Sequence, residues 1–94
     1  MDKKFQPGEI VRSTAGRDLG NYYIVVEILS PKYILAADGK YKKINNPKKK
    51  NIKHIESTGI VHEEFSIWLT EGKRLRNEDI QYVLKNYRKK EEAK

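Results

Sequence analysis

The residues of this 94-residue chain whose types and spacing could do chemistry are its lysines and arginines. Residues 1–56 carry 12 Lys and Arg against 6 Asp and Glu, whereas residues 57–94 carry 8 against 7. A concentrated positive field attracts polyanions. Nucleic acid is the polyanion that this asymmetry favours; an anionic membrane surface and simple solubilisation are the alternatives. The candidate phosphate-binding residues are Arg12, Arg17, Lys40, Lys42, Lys43, Lys48, Lys49, Lys50 and Lys53.

Lysine dominates this set, and that favours recognition of backbone and shape over sequence. A lysine meets phosphate as a mobile point charge, whereas the planar fork of arginine suits base edges. Tyr22 and Tyr41 lie among these cations and are candidates for stacking on unpaired bases. The alternative is that both tyrosines form part of the wall of the domain.

No pattern in the sequence supports catalysis or metal binding. The chain has no cysteine, which excludes disulfides and thiolate-bound metal. His54 and His62 are eight positions apart, without a metal-binding spacing. Gly16 to Gly20 is too short for a Walker loop and lacks its Lys-Ser/Thr. We therefore expect a non-enzyme with no metal, no cofactor and no small-molecule substrate.

The chain also lacks a membrane pattern. The first residues have no apolar segment typical of a signal peptide, and no apolar run approaches the ~20 residues that span a bilayer. We expect a cytoplasmic protein that does not bind membranes.

The cations must be positioned by short strands joined by glycine-marked turns. Branched and aromatic residues predict strands over Glu9–Ser13, Tyr22–Leu29 and Tyr33–Ala37. Asp38-Gly39 predicts a type I′ hairpin turn. The next segments predict a fourth strand over Lys40–Ile44, an exposed basic run at residues 48–50 and a fifth strand over Asn51–Glu56.

Residues 57–59 are predicted to separate the sheet from the rest of the chain, and the pattern of apolar residues changes after them. Apolar residues at helical spacing predict one helix over Ile60–Leu69. Trp68 is predicted as a core anchor between this helix and the sheet, and an interface anchor is the alternative. Asn77 is the predicted N-cap of a second helix. The expected organisation is a loose tail over residues 1–7, a sheet domain over residues 8–56 and a helical extension over residues 60–92 that packs on it.

Residues Gly8 to Ile28 resemble the KOW motif of ribosomal proteins and NusG-type elongation factors. They run from a short strand through a glycine, a basic loop and a second glycine to an aliphatic strand. The continuation to Asp38-Gly39 and the lysine-rich segment is similar to small bacterial KOW-domain RNA-binding proteins. These are similar in turn to KOW-type large-subunit ribosomal proteins of archaea and eukaryotes.

The resemblance implies a small five-stranded SH3-like barrel, and with the two predicted C-terminal helices this gives an α+β protein. It implies binding to RNA, above all ribosomal RNA, and association with the ribosome or with assembly of its large subunit, where ribosomal proteins are further partners. Two alternatives come from other classes. One is an SH3-like protein-interaction module, and the other is a KOW protein of DNA or transcription elongation.

Overall fold

The computed structural model describes residues 5–92, with side chains up to Arg88, and has one antiparallel sheet followed by two helices. The α+β class predicted from the sequence is confirmed. A 3₁₀ turn over Ile52–His54 joins the last two strands. The strands are β1 (Glu9–Ser13), β2 (Tyr22–Ile28), β3 (Tyr33–Ala37), β4 (Lys48–Asn51) and β5 (Ile55–Val61), and the helices are α1 (Glu63–Thr70) and α2 (Asn77–Glu92).

The order of the strands forces the sheet to curve. The order is β4-β3-β2-β1-β5, so β4 and β5 form opposite edges. With about 4.8 Å between neighbouring strands, a flat sheet would hold those edges about 19 Å apart. Only the three-residue 3₁₀ turn links β4 to β5, and an extended chain covers at most about 3.6 Å per residue. The sheet therefore bends strongly, and its concave side encloses a core.

Each face of the sheet carries its own apolar cluster, because successive strand side chains point to opposite sides. Ile10 and Ile24 face the helices, whereas Val11 and Val25 face the concave interior. Both faces of β2 are buried from Tyr23 to Val25, whereas its last two residues are exposed. The helix-side cluster is Ile10, Ile24, Ala37, Phe65, Ile80, Val83 and Leu84, and the interior cluster is Val11, Tyr23, Val25, Ile34, Ala36 and Ile55.

The fourth and fifth strands lie later in the chain than predicted. Residues 38–47 form a loop instead of a strand over Lys40–Ile44, and β4 begins only at Lys48. The predicted separator at residues 57–59 lies inside β5, because pairing with β1 continues through it. Ser57 pairs with Val11, and the Thr58 hydroxyl donates to the Ile10 carbonyl at 2.7 Å.

The segment before β1 is packed where it is described. Phe5 is half-buried against the interior cluster, and the Gly8 N–H donates to the Val25 carbonyl at 2.8 Å. The sequence predicted a loose tail over residues 1–7, within which Phe5 packs against the sheet. Residues 1–4 of the predicted tail lie outside the described residues.

The loop over residues 38–47 is fastened to the first two turns of α2. Within the described residues every positive φ belongs to a glycine, so Asp38-Gly39 is not a type I′ turn. The Gln81 amide donates to the Gly39 carbonyl at 2.7 Å, and the Asn77 Oδ1 accepts the Ile44 N–H at 2.8 Å. Asn77 thus holds the loop and is the first residue of α2, rather than the cap that precedes it.

Replacing Gly39 with alanine is expected to lower the free energy of unfolding by at least about 2 kcal/mol. Gly39 has φ +78°, and a Cβ built on it would overlap the Asn77 carbonyl oxygen. Urea denaturation measures the loss. Gly20→Ala is the matched control, because Gly20 has φ +86° but nothing within 4 Å of the added Cβ. Equal losses in the two variants would show that the loop does not press on α2.

The two helices cover the convex side of the sheet. α1 was predicted from Ile60 but begins after His62, whose Nδ1 accepts the Phe65 N–H at 3.2 Å. Two acidic residues in its first turn complement the helix dipole. Trp68 packs against the helix-side cluster and is the anchor that the sequence predicted. No helix in the described part of the chain is long and apolar enough to cross a membrane.

Candidate nucleic-acid interface

Two loops lie together at one end of the sheet, and we call them the basic end: residues 14–21, between β1 and β2, and residues 38–47, between β3 and β4. In an antiparallel meander these two connections fall on the same side. Asn21 of the first loop and Lys40 of the second line one cleft. The Asp18 carboxylate of the first loop also lies 3.5 Å from the ammonium of Lys48, the residue that directly follows the second loop. The sheet thus brings together cations that are more than 20 positions apart.

The first loop is held from inside by Asp18. One oxygen of its carboxylate lies 2.5 Å from the Lys50 ammonium and accepts the Tyr23 hydroxyl at 2.8 Å. The other oxygen accepts the Ser13 hydroxyl at 3.0 Å, and Lys50 in turn donates to Ser13 at 3.2 Å. These four side chains join β1, β2 and β4 under the loop. Arg17, next to Asp18, is exposed.

The charges of this network are stabilised by one another. Burial alone would raise the pKa of Asp18, but hydrogen bonds from Lys50, Tyr23 and Ser13, with the Lys50 charge, outweigh burial. They hold that pKa well below the usual carboxyl range. Burial and the hydrogen bond to Asp18 raise the pKa of the Tyr23 phenol above its usual value. At neutral pH Asp18 is therefore an anion and Tyr23 a donor.

The second loop is shaped by Asp38. Its Oδ1 accepts the backbone N–H groups of Lys40, Tyr41 and Lys42 at 2.9, 2.9 and 2.7 Å. A short acidic side chain that bonds the following backbone is the usual device of a turn. Three successive residues are thereby ordered, and Lys40 is exposed while Lys42 is half-buried.

The basic end carries more positive than negative charge, and both of its acidic groups are bonded within the protein. Asp18 and Asp38 are the acidic residues of these two loops, and each is engaged by protein donors. Between them the loops carry Arg17, Lys40, Lys42 and Lys43, and within the described residues none of these four has an ion-pair partner. An anion that approaches this end therefore meets more positive than negative charge.

Lys49 and Lys53 extend the positive surface beyond the two loops. Lys49 is exposed on the opposite face of β4 from Lys50, with its ammonium 4.4 Å from the centre of the Tyr33 ring. Lys53 is exposed on the 3₁₀ turn, beside the first loop, because the Thr14 N–H donates to the His54 carbonyl at 2.9 Å.

Three of the predicted phosphate-binding residues lie next to acidic side chains of the protein itself. Lys50 was predicted in an exposed basic run, and this is wrong: its side chain is 6% exposed and pairs with Asp18. Lys48 is 37% exposed and lies on the same side of β4. Arg12 lies 3.4 Å from Glu56 across the β1–β5 pair. The remaining accessible set is Arg17, Lys40, Lys42, Lys43, Lys49 and Lys53.

The two predicted stacking residues lie in different surroundings but line the same cleft. Tyr41 is 74% exposed. Tyr22 is half-buried, with its ring 5.3 Å from Tyr87 of α2 in an edge-to-face contact. The structure thus brings together both tyrosines, although one of them also serves the helix packing.

Sequence reasoning missed the contribution of α2 to this surface. Lys85 and Arg88 line the cleft beside the two tyrosines. Cations late in a helix complement its dipole, and this effect alone explains their position without a bound ligand. Their spacing of three does put them on one helix face, the same face as Gln81 and Leu84. This spacing was the signal available, but only the packing of α2 shows where the face points.

No protein-family model matches the sequence, and no curated protein matches it either.

Proposed function

We propose that this chain is a non-catalytic RNA-binding protein that grips the phosphate backbone with its basic end. The observation that carries the proposal is the division of charge in the two loops. Asp18 and Asp38 are engaged by protein donors, whereas Arg17, Lys40 and Lys43 are exposed. Phosphate contacts supply affinity and orientation without reading sequence, and this suits a surface of five lysines and one arginine.

The proposal includes a KOW-type, SH3-like barrel as the scaffold. Its support is the order of the strands, with β5 returned to β1 and the two sheet edges joined by a three-residue 3₁₀ turn. Val11 lies in the interior cluster, the side on which the KOW pattern places it. The two glycines of the motif, Gly16 and Gly20, have positive φ and bracket Arg17 and Asp18.

Ribosomal RNA is the proposed target because of the resemblance to ribosomal KOW proteins, and large-subunit assembly is the proposed setting. A compact domain with two cationic loops suits folded RNA, which proteins recognise through its shape, its phosphates and its unpaired segments. Duplex DNA and a protein partner are the rival ligands that a binding experiment must separate from RNA.

A competition experiment tests the choice of ligand. The purified protein is titrated into a labelled, structured fragment of ribosomal RNA at low salt, and unlabelled duplex DNA of equal length is added as competitor. We expect the protein to stay bound to the labelled RNA in the presence of a large excess of unlabelled DNA. Equal competition by DNA would contradict RNA selectivity, and absence of binding to either would contradict the proposal as a whole.

A further inference from the structure

A cleft of about 580 Å³ opens between the start of β2, the second loop of the basic end and α2. This volume is in the range of sites that hold small ligands. Its walls include the rings of Tyr22 and Tyr41, and the cations Lys40, Lys85 and Arg88. Three separate parts of the chain thus supply two aromatic surfaces and three positive charges to one space.

Each tyrosine of the cleft has a cation next to its ring. The Lys40 ammonium lies 5.2 Å from the centre of the Tyr41 ring, and the Arg88 guanidinium carbon lies 5.8 Å from that of Tyr22. Stacking surfaces combined with cations are the means by which proteins hold single-stranded nucleic acid. The base then contacts a ring, and the phosphate of the same nucleotide contacts the adjoining charge.

The acidic residue of the cleft does not oppose an anion strongly. Asp38 lines the cleft, but its Oδ1 accepts three backbone N–H groups of the loop. Those bonds offset its negative charge, since hydrogen bonds to a carboxylate stabilise the charge locally. The remaining charged side chains of the cleft, Lys40, Lys85 and Arg88, are all positive.

We propose that this cleft binds one unpaired nucleotide of the RNA, with its base on Tyr41 and its phosphate between Lys40, Lys85 and Arg88. The inference rests on the proposed RNA-binding function and adds a preference to it. A base inside a duplex hides its faces by stacking on its neighbours, whereas a bulged or looped base can enter the cleft. The basic end supplies general affinity, and the cleft selects RNA with an unpaired nucleotide.

The test compares two hairpins of equal length and charge whose stems are closed by the same non-nucleotide linker, so that neither has an unpaired loop. One stem is fully paired, and the other carries a single bulged nucleotide. We expect the full-length protein to bind the bulged hairpin about 5- to 150-fold more tightly, the range for one base stacked on an aromatic ring. Tyr41→Ala is expected to abolish that difference, because the base then has no ring on which to stack. Tyr41→Phe keeps the ring and is expected to keep the difference.

Tyr82→Ala is the matched control, because Tyr82 is 67% exposed on α2 and is outside the lining of the cleft. It is expected to bind both hairpins as the unchanged protein does. Equal affinity of the unchanged protein for the two hairpins, or a preference that survives Tyr41→Ala, would overturn the cleft inference while the phosphate proposal stands. Failure to bind either hairpin at low salt would instead overturn the RNA-binding function.

Adenosine monophosphate, added as a competitor, separates an RNA site from a site for free nucleotides. We expect it to displace the bulged hairpin only at concentrations far above the dissociation constant of that hairpin, because the basic end holds the rest of the RNA. Binding of the monophosphate as tight as that of the hairpin would overturn the assignment of the cleft to RNA.

Discussion

Replacing Asp18 with alanine is expected to lower the free energy of unfolding by about 3–5 kcal/mol, because it strands the Lys50 ammonium in the interior. Lys50 is 6% exposed, and its described polar contacts are Asp18 and Ser13. Removal of the Asp18 carboxylate also takes away the hydrogen-bond acceptor of the Tyr23 hydroxyl and loosens the first loop. Urea denaturation measures the effect. The variant should also bind RNA more weakly, because the loosened loop carries Arg17.

A double-mutant cycle with Lys50→Met is the control for this prediction. Methionine has similar length and no charge, so the variant that carries both changes leaves no buried ammonium without a partner. We expect that double variant to be more stable than Asp18→Ala alone. Additive losses, or a loss below about 1 kcal/mol for Asp18→Ala, would show that the pair does not hold the loop.

The same network gives stability a pH dependence of known sign. The pKa of Asp18 is depressed in the folded protein, so its contribution is complete above the ordinary carboxyl value of about 3.9 and is lost as pH falls toward the folded value. The free energy of unfolding should therefore decline in acid, and Asp18→Asn should flatten that decline.

Reversing two charges of the second loop, Lys42→Glu with Lys43→Glu, is expected to weaken RNA binding by at least about 100-fold at low salt. Each lysine lost removes a charge-assisted contact of about 1.5 kcal/mol or more, and each glutamate adds repulsion. The change should act on many RNAs alike, because phosphates carry no sequence. A filter-binding or fluorescence titration measures it.

The matched control reverses two cations in the connection between α1 and α2, Lys73→Glu with Arg74→Glu. Both are exposed, and the net charge changes by the same amount. We expect a much smaller loss than for the loop variant. Equal losses would mean that total charge, rather than the basic end, determines affinity. Urea denaturation of both proteins checks that each is folded, since Lys42 is half-buried.

The strands with strong local patterns could be predicted from the sequence. β1 and β3 have the predicted ends, and β2 ends one residue earlier than predicted. The fourth strand could not be predicted, because Asp38-Gly39 resembles a hairpin signal while its conformation depends on α2. Gly39 packs on Asn77 and Gln81, which are about 40 positions away, and no local propensity contains that contact.

The candidate site could be predicted in outline and not in detail. The exposed cations of both loops were found from their residue types and from the glycines around them. Lys50 was misjudged because three successive lysines favour a solvated run. Alternation along β4 turns Lys50 inward, and the distant Asp18 makes its burial tolerable. The cleft was missed because only the packed position of α2 completes it.

Salt dependence tests the central claim, electrostatic capture of RNA by the basic end, most directly. The dissociation constant of a structured ribosomal RNA fragment is measured over a series of salt concentrations. Six accessible cations that each neutralise a phosphate predict that log affinity falls with log salt at a slope of roughly −4 to −5. A slope near zero would contradict the account, because binding would then not depend on contacts between these cations and phosphates.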